Sequence, residues 1–395
     1  MSEFSINTKL VHAGERRARP VGRPVATPIY ATATYTYDSM EQMDAVFAGE
    51  GGDYVYSRYG NPTVAALEES LAAIEDGKFA VAYASGMAAI HAALSACELA
   101  PGAVVLASQD LYGASFDLLG KIFGSFGIKT RTADFNDLDR LRDEARETKP
   151  RVLLAETISN PLLKICDIEA VAEIAHESGA RLIVDNTFAS PYLCRPLTLG
   201  ADFSVHSATK YLGGHADSLG GIVISNEEFD RPNLVGVMKL VGGVLSVWEA
   251  HQILRGVKTL GLRLERQCSN AKILAGTLTG NDRIERVYHP LLTDDKELTK
   301  KVLRDPHGGA LVSIKLKDDT REAAFRLMDN LKLAVRATSL GDIYTLVSHS
   351  ATSSHRELSP KRRAALGISE GLIRISVGIE DIGDIIADIE QAVLK

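Results

Sequence analysis

Cysteine is scarce in this sequence. Its four residues, Cys97, Cys166, Cys194 and Cys268, lie far apart and form no C-x-x-C pair. That spacing argues against a disulfide-stapled scaffold and against a zinc module, and it makes a reducing cytoplasm the simplest setting. Long apolar runs are missing as well, so no stretch reads as a membrane-spanning helix. The opening M-S-E-F-S-I-N-T-K-L lacks the apolar core of a secretory signal. There is no surplus of basic charge: 44 Lys and Arg stand against 51 Asp and Glu, a net charge of −7. Such a balance favours neither nucleic acid nor an anionic membrane surface as a partner. Internal repeats and low-complexity segments are absent too, which excludes solenoids and biased linkers.

What is present is an ordinary globular composition, 45% hydrophobic and 24% charged over 395 residues. That length suits two domains, or one large domain with a smaller appendage. Residues 1–60 are rich in Gly, Pro, Tyr and Thr with little periodicity, and R-P-V-G-R-P-V-A-T-P-I-Y reads as an extended arm. Such an arm cannot bury itself and is expected to lie on a neighbouring subunit. Asn61 and Pro62 supply the N-cap and first turn of a helix over 62–76. A buried strand is predicted at 79–84. Ser85-Gly86-Met87 then turns into the small-residue helix A-A-I-H-A-A-L-S-A. Strand, glycine turn, helix is an arrangement whose backbone N–H groups hold a phosphate.

Strands then alternate with helices. Strands are predicted at 103–107, 129–132, 151–156, 181–185 and 203–206, and helices at 115–126, 138–147 and 168–178. Repeated strand–helix units predict an α/β domain whose mainly parallel sheet is covered on both faces. Ligands on such sheets bind at the carboxyl ends of the strands. Ser85, Asn160, Asp185 and Ser207 all fall at or just after those ends. A long or broken helix is expected over 246–278, with Gly256 and Gly261 as break points. The remainder reads as a smaller α+β domain with antiparallel strands at 311–316, 333–338 and 372–377, and helices at 321–331 and 381–394. The expected division is an arm at 1–60, a main domain at 61–256 and a C-terminal domain at 257–395.

The sharpest chemistry lies in S-V-H-S-A-T-K-Y, residues 204–211. The string leaves a strand and sets Ser207, Thr209 and Lys210 side by side. A lysine at a strand end, in a low-dielectric pocket, loses its proton readily and becomes an amine nucleophile. Hydroxyls beside it are good phosphate ligands. An amine next to a phosphate site suggests a Schiff base with pyridoxal phosphate. The rival readings are a solvated surface lysine, the usual fate of that residue, and the S-x-x-K of penicillin-binding proteins and class A β-lactamases. The second also needs S-D-N and K-T-G. Neither occurs, the nearest string being Lys258-Thr259-Leu260.

Asp185 ends the apolar run R-L-I-V-D. It is either a turn or N-cap carboxylate or the partner of a pyridinium nitrogen, which keeps the ring an electron sink. Tyr112, in D-L-Y-G, is either core packing or a ring-stacking residue able to carry a proton. Arg374, flanked by apolar residues in L-I-R-I-S-V-G, is a bidentate carboxylate ligand or half of a buried ion pair.

Taken in order, Y-S-R-Y-G-N-P-T, A-S-G-M-A-A-I, D-L-Y-G, E-T-I-S-N-P, V-D-N-T-F-A-S-P-Y, S-V-H-S-A-T-K-Y, T-S-L-G-D and L-I-R-I-S-V-G-I-E-D span almost the whole chain. Together they resemble the Cys/Met-metabolism family of pyridoxal-phosphate enzymes. That family includes cystathionine γ-synthase, cystathionine β- and γ-lyases, methionine γ-lyase and the acyl-homoserine sulfhydrylases. The resemblance implies fold type I, the aspartate-aminotransferase architecture, and a homotetramer built from two tight dimers. It implies pyridoxal 5'-phosphate as cofactor and Lys210 as the lysine that binds it. Gly86, Met87, Ser207 and Thr209 match the phosphate ligands. Tyr56 and Arg58 match the pair that reaches the phosphate of the neighbouring subunit. Tyr112 matches the stacking tyrosine, Asp185 the pyridinium partner, and Asn160 the residue near the cofactor hydroxyl. Ser339 and Arg374 match the site for the substrate α-carboxylate.

The implied activity is carbon–sulfur bond cleavage in sulfur amino acids. Elimination at Cγ would give 2-oxobutyrate, ammonia and a thiol; γ-replacement by a thiol is the alternative. A third reading is a scaffold protein that keeps the cofactor without the chemistry, against which Lys210, Asp185, Tyr112 and Arg374 argue. Departures from the family pattern bear on the substrate. Leu340 stands near the place where β-lyases tend to carry tryptophan, and the lone Trp248 lies elsewhere. Cystathionine-handling members typically carry Glu just before the serine matching Ser339 and Arg five places after the tyrosine. Here those positions are Thr338 and Asp117, and a distal amino-carboxylate is expected to meet a like charge at Asp117. Methionine γ-lyases often carry Cys two residues after the tyrosine, where this chain has Ala114. On balance a small γ-leaving group is expected, as in methionine, homocysteine or an acyl-homoserine.

Overall fold

A computed structural model describes residues 22–50, 52, 54–304 and 307–394. The part of the expected arm at 1–21 lies outside the described residues. Among the described residues twelve strands form two sheets. In chain order the first seven are β1 Phe79–Tyr83, β2 Val104–Ser108, β3 Lys129–Ala133, β4 Val152–Glu156, β5 Arg181–Asp185, β6 Phe203–Ser207 and β7 Gly221–Ser225. They build one sheet in the order β1-β7-β6-β5-β4-β2-β3. β7 runs antiparallel to both its neighbours, and the other pairs are parallel. V-L-L-A and R-L-I-V are apolar on both faces because helices cover both faces, each with its own buried cluster. Each fully enclosed leucine there, such as Leu106 or Leu154, contributes roughly 2 kcal/mol.

The helices begin where the capping chemistry places them. Asn61 Oδ1 accepts the Thr63 N–H at 2.9 Å and starts the helix Pro62–Ile74. Ser85 Oγ accepts the Ala88 N–H at 3.1 Å and starts Gly86–Ala96. The expected helix at 115–126 starts earlier and changes pitch. It is an α turn at Gly113–Asp117, a π turn at Leu118–Phe123 and a 3-10 turn at Gly124–Phe126.

The second sheet contains β8 Ile284–Tyr288, β9 Leu311–Leu316, β10 Val335–Arg336, β11 Leu346–His349 and β12 Leu372–Ser376, in the order β10-β11-β12-β9-β8. Its own core is closed by the helices Leu260–Leu278, Arg321–Asn330 and Ile382–Val393. The strand expected at 333–338 shrinks to β10, and β10 pairs parallel to β11. The cause is a contact distant in sequence: the Asp388 carboxylate takes the N–H groups of Lys332, Leu333 and Ala334, which therefore do not enter a ladder. The long helix breaks at Lys258 and Thr259, between Val247–Val257 and Leu260–Leu278. Gly256 is not the break. A Cβ there would meet the Gly213 carbonyl oxygen at 2.2 Å, so this glycine serves close packing. Among the described residues no helix is long and apolar enough to cross a membrane.

Candidate active site

A cavity of about 490 Å³ opens at the carboxyl ends of β4, β5 and β6, with the small domain forming its far wall. Lys210 lies in the turn after β6. Its Nζ donates to Ser339 Oγ at 2.6 Å. Burial, and then the charge of Arg374, lower its amine to about 8. Ser339 reaches this position with φ of 91°, a left-handed backbone held at some cost in a non-glycine residue. The same residue offers its carbonyl to Arg374 Nη2 at 2.7 Å. Arg374, buried at the middle of β12, also donates to Asn160 Oδ1 at 2.9 Å. Its Nε is enclosed and takes no partner among the described residues. Burial lowers the guanidinium to about 10.

Asp185 ends β5 and accepts the Thr187 N–H at 3.0 Å. Burial raises its carboxyl above the usual range, against the pull of Thr187 and His206. Thr187 Oγ1 in turn accepts the Ser207 N–H at 2.8 Å, which sets the spacing between Asp185 and the hydroxyls of Ser207 and Thr209. A second carboxylate clamps the sheet beneath. Glu75 Oε1 takes His206 Nε2 at 2.5 Å, Ser204 Oγ at 3.1 Å and Asn186 Nδ2 at 3.2 Å. Because side chains alternate along β6, these contacts lie on the face opposite Ser207.

Gly86 and Met87 form the first turn of the Gly86–Ala96 helix, where backbone N–H groups have no partner within the helix. A Cβ on Gly86 would meet Ser207 Cβ at 2.8 Å, and one on Gly221 would meet the Ser85 carbonyl oxygen at 2.1 Å. These two glycines let the helix end close against the hydroxyls. Tyr112 lies on the outer wall, half exposed, and the loop that carries it packs on the small domain. A Cβ on Gly113 would meet the Ser354 carbonyl oxygen at 2.7 Å.

The cavity thus brings together Gly86, Met87, Tyr112, Asn160, Asp185, Ser207, Thr209, Lys210, Ser339 and Arg374. Tyr56 and Arg58 stand apart from it within one chain. Arg58 donates to the Lys239 carbonyl at 2.6 Å and lies over the rings of Tyr56 and Tyr59. Thr338 does line the cavity, whereas Asp117 does not. The like charge expected at Asp117 is therefore corrected: its carboxylate pairs with Lys121 Nζ at 3.0 Å on the surface. Several lining residues escaped the sequence reading, among them Glu156, Thr187, Ser353 and Ser354. Glu156 ends the apolar run V-L-L-A-E, the same signal that singled out Asp185, and could have been found by it. The serines stand in a loop without periodicity and offered none.

Eight polar or titratable side chains, with Gly86 and Met87 at a helix start, converge on one cavity in an arrangement of the fold-type-I pyridoxal-phosphate kind, and comparison with known proteins specifies the class further. The profile of the Cys/Met metabolism PLP-dependent enzymes matches residues 7–394. The chain is 43% identical to an L-methionine gamma-lyase of Fusobacterium nucleatum subsp. polymorphum, over 100% of this chain and 99% of that enzyme. It is 36% identical to an O-succinylhomoserine sulfhydrylase of Mycobacterium tuberculosis, over 93% of this chain and 91% of that one. The crystal structure of cystathionine gamma synthase from Xanthomonas oryzae pv. oryzae, in complex with aminoacrylate and cysteine, superposes with a TM-score of 0.88 at 35% identity. It covers 94% of this chain and 93% of that one. The chain belongs to the Cys/Met metabolism family of PLP-dependent enzymes.

Its cofactor is pyridoxal phosphate, and the residues present suit that group. A lysine amine lowered to about 8, a carboxyl at a strand end, two hydroxyls and a helix N-terminus converge on one cavity.

Proposed function

We propose that this protein is a carbon–sulfur lyase that eliminates the γ-sulfur substituent of methionine or homocysteine and, with one water consumed, gives 2-oxobutyrate, ammonia and methanethiol or hydrogen sulfide respectively. The observation that carries the reading is the convergence of Lys210, Asp185 and Arg374 on one cavity whose lining also includes the neutral hydroxyls of Thr338, Ser353 and Ser354. Ser207, Thr209 and the N–H groups of Gly86 and Met87 would hold the cofactor phosphate, Asp185 its ring nitrogen, and Asn160 would lie near its hydroxyl. When bound, pyridoxal phosphate supplies an electron sink for carbanions at the substrate carbons.

The protein's own residues do the rest. Arg374 takes the substrate α-carboxylate, which its buried and unpartnered Nε favours. Lys210, with its amine lowered to about 8, still carries its proton for the most part at neutral pH but gives it up far more readily than an exposed lysine. Its free amine would accept the Cα proton. Tyr112, which lines the cavity half exposed, would stack on the ring and is the candidate to exchange a proton with the departing sulfur. The neutral hydroxyls in the lining would suit a thioether and offer no counter-charge to a second amino-carboxylate.

The assembly is read as a homotetramer of two tight dimers in the cytoplasm. Tyr56 and Arg58 would complete the phosphate site of the adjacent subunit. Their absence from the cavity lining of their own chain supports this, as do the largely exposed residues of the arm between 22 and 50 and the helix Met40–Phe47, which has no buried residue. The division into an arm at 1–60, a cofactor domain at 61–256 and a C-terminal domain at 257–395 belongs to the same proposal.

A γ-replacement enzyme is the second reading, favoured by the sulfhydrylase and synthase relatives. One experiment separates the two. The purified enzyme is incubated with methionine, homocysteine, cystathionine and an O-acyl-homoserine, each with and without added thiol. 2-Oxobutyrate from methionine or homocysteine, with higher kcat/KM than from cystathionine, is the expected result. A thioether product formed from the acyl-homoserine, without 2-oxobutyrate, would establish replacement instead.

A further inference from the structure

Two carboxyl groups sit side by side at the floor of the cavity. Glu156 ends β4, Asp185 ends β5, and the two are register partners across the parallel ladder. Partners on strands about 4.8 Å apart present their side chains to the same face, and both residues line the cavity. Glu156 Oε1 accepts the Tyr112 N–H at 2.6 Å. Its Oε2 is enclosed and has no partner among the described residues.

Charged groups face Glu156 from three neighbouring elements: Asp185 on β5, Asp110 on the loop after β2, and Arg374 on β12. Asp110 is matched by Lys164 at 3.0 Å. The terminal nitrogens of Arg374 go to Asn160 and Ser339, leaving Glu156 without a direct cationic partner.

We propose that Glu156 is a positioning residue, a neutral acid beside Asp185 that leaves the carboxylate charge to Asp185 and holds the Tyr112 backbone through its own oxygen. Two adjacent carboxyls with no cation between them cannot both ionise and share a proton instead. Burial first, and Asp185 second, push the Glu156 carboxyl well above the usual range. The N–H groups of Tyr112 and Asn160 oppose that rise without cancelling it, whereas the N–H and the hydroxyl of Thr187 hold Asp185 nearer its charged form, so the upward push is larger on Glu156. The proton therefore resides on Glu156. A second charge there would compete with Asp185 for the ring nitrogen, so the inference rests on the proposed role of Asp185.

The test compares Glu156→Gln, which keeps a neutral acceptor, with Glu156→Ala, which removes it. Glu156→Gln is expected to retain cofactor through dialysis and to keep kcat/KM within about threefold of wild type, with an unchanged pH profile. Glu156→Ala leaves the Tyr112 N–H without its acceptor, and kcat should fall roughly tenfold or more. Equal damage from both substitutions would mean that the charge matters, and would overturn the proposal; so would an Ala variant indistinguishable from wild type. If the Ala variant does not fold, infrared difference spectra of the cofactor-free wild type against Glu156→Gln decide. A protonated-carboxyl stretch lost in the Gln variant at neutral pH is expected, and loss of carboxylate bands instead refutes it. Asp185→Asn is the control for the underlying reading. If it retains cofactor normally, the role given to Asp185 is wrong, whatever Glu156 does.

Discussion

Replacing Lys210 by methionine is expected to stabilise the cofactor-free protein while abolishing turnover. In the folded chain, burial and then the Arg374 charge lower the amine from 10.5 to about 8. Between those two values the unfolded chain holds the proton and the folded chain does not. Stability therefore rises with pH across the window from about 8 to 10.5, and below it the cost of the enclosed charge is fully present. That depression corresponds to about 3 kcal/mol. Methionine is similar in length and uncharged, but it forfeits the bond from Nζ to Ser339 Oγ at 2.6 Å, worth about 1 kcal/mol. The charge effect wins, and the variant should gain about 2 kcal/mol at neutral pH. Above 10.5 the gain should vanish or become a small loss. Urea unfolding of both cofactor-free proteins, at neutral pH and near the upper limit, measures the difference. A gain that does not change with pH, or a loss at neutral pH, would refute the claim that Lys210 carries a buried-charge penalty. In the same variant, retained 2-oxobutyrate formation would sink the assignment of Lys210 as the essential amine.

Arg374→Lys keeps the charge but loses the planar fork, so kcat/KM for methionine should fall by roughly one to two decades, chiefly through KM. An equal loss with a substrate analogue lacking the carboxylate would show that Arg374 acts elsewhere. Gly221→Ala brings a Cβ to 2.1 Å from the Ser85 carbonyl oxygen, and the backbone must move at a cost of about 2 kcal/mol or more; an unchanged thermal melt contradicts this packing. Glu75→Ala strips His206, Ser204 and Asn186 of a shared acceptor. It should destabilise the protein by about 3 kcal/mol, read from denaturant melts, and a neutral substitution would mean that the clamp is dispensable. Arg58→Ala should weaken cofactor retention on dialysis, and a fully active monomer by sedimentation would remove the shared-site idea.

Legibility followed locality. A strand buried on both faces announces itself as a short apolar run, so β4, β5 and β6 were readable to within a residue or two. Caps such as Asn61 and Ser85 act through neighbours two or three positions away, and the helix starts they set were readable for the same reason. Residues at the ends of those strands inherited that precision, which is why Asn160, Asp185, Ser207 and Lys210 arrive in one cavity. Where a distant partner decides the backbone, sequence reasoning failed. Asp388 removes three N–H groups from a strand some fifty residues earlier, and nothing in the local pattern of 333–338 records it. Gly256 fails likewise, because the carbonyl that needs its missing side chain belongs to Gly213.

The same distinction governs substrate choice. Asp117 was weighed by its place in a family pattern, yet its carboxylate is matched four residues on by Lys121. It therefore adds little repulsion at an exposed site. Thr338 does line the cavity, one residue before the Ser339 that ties the Lys210 amine to the Arg374 guanidinium. Under the proposed function, discrimination against a second amino-carboxylate would rest on the absence of a distal counter-charge among the described lining residues, and not on a repelling charge. Such selectivity by omission costs a doubly charged substrate the desolvation of its distal groups without compensation. It leaves a small neutral thioether to be held by packing and by Arg374.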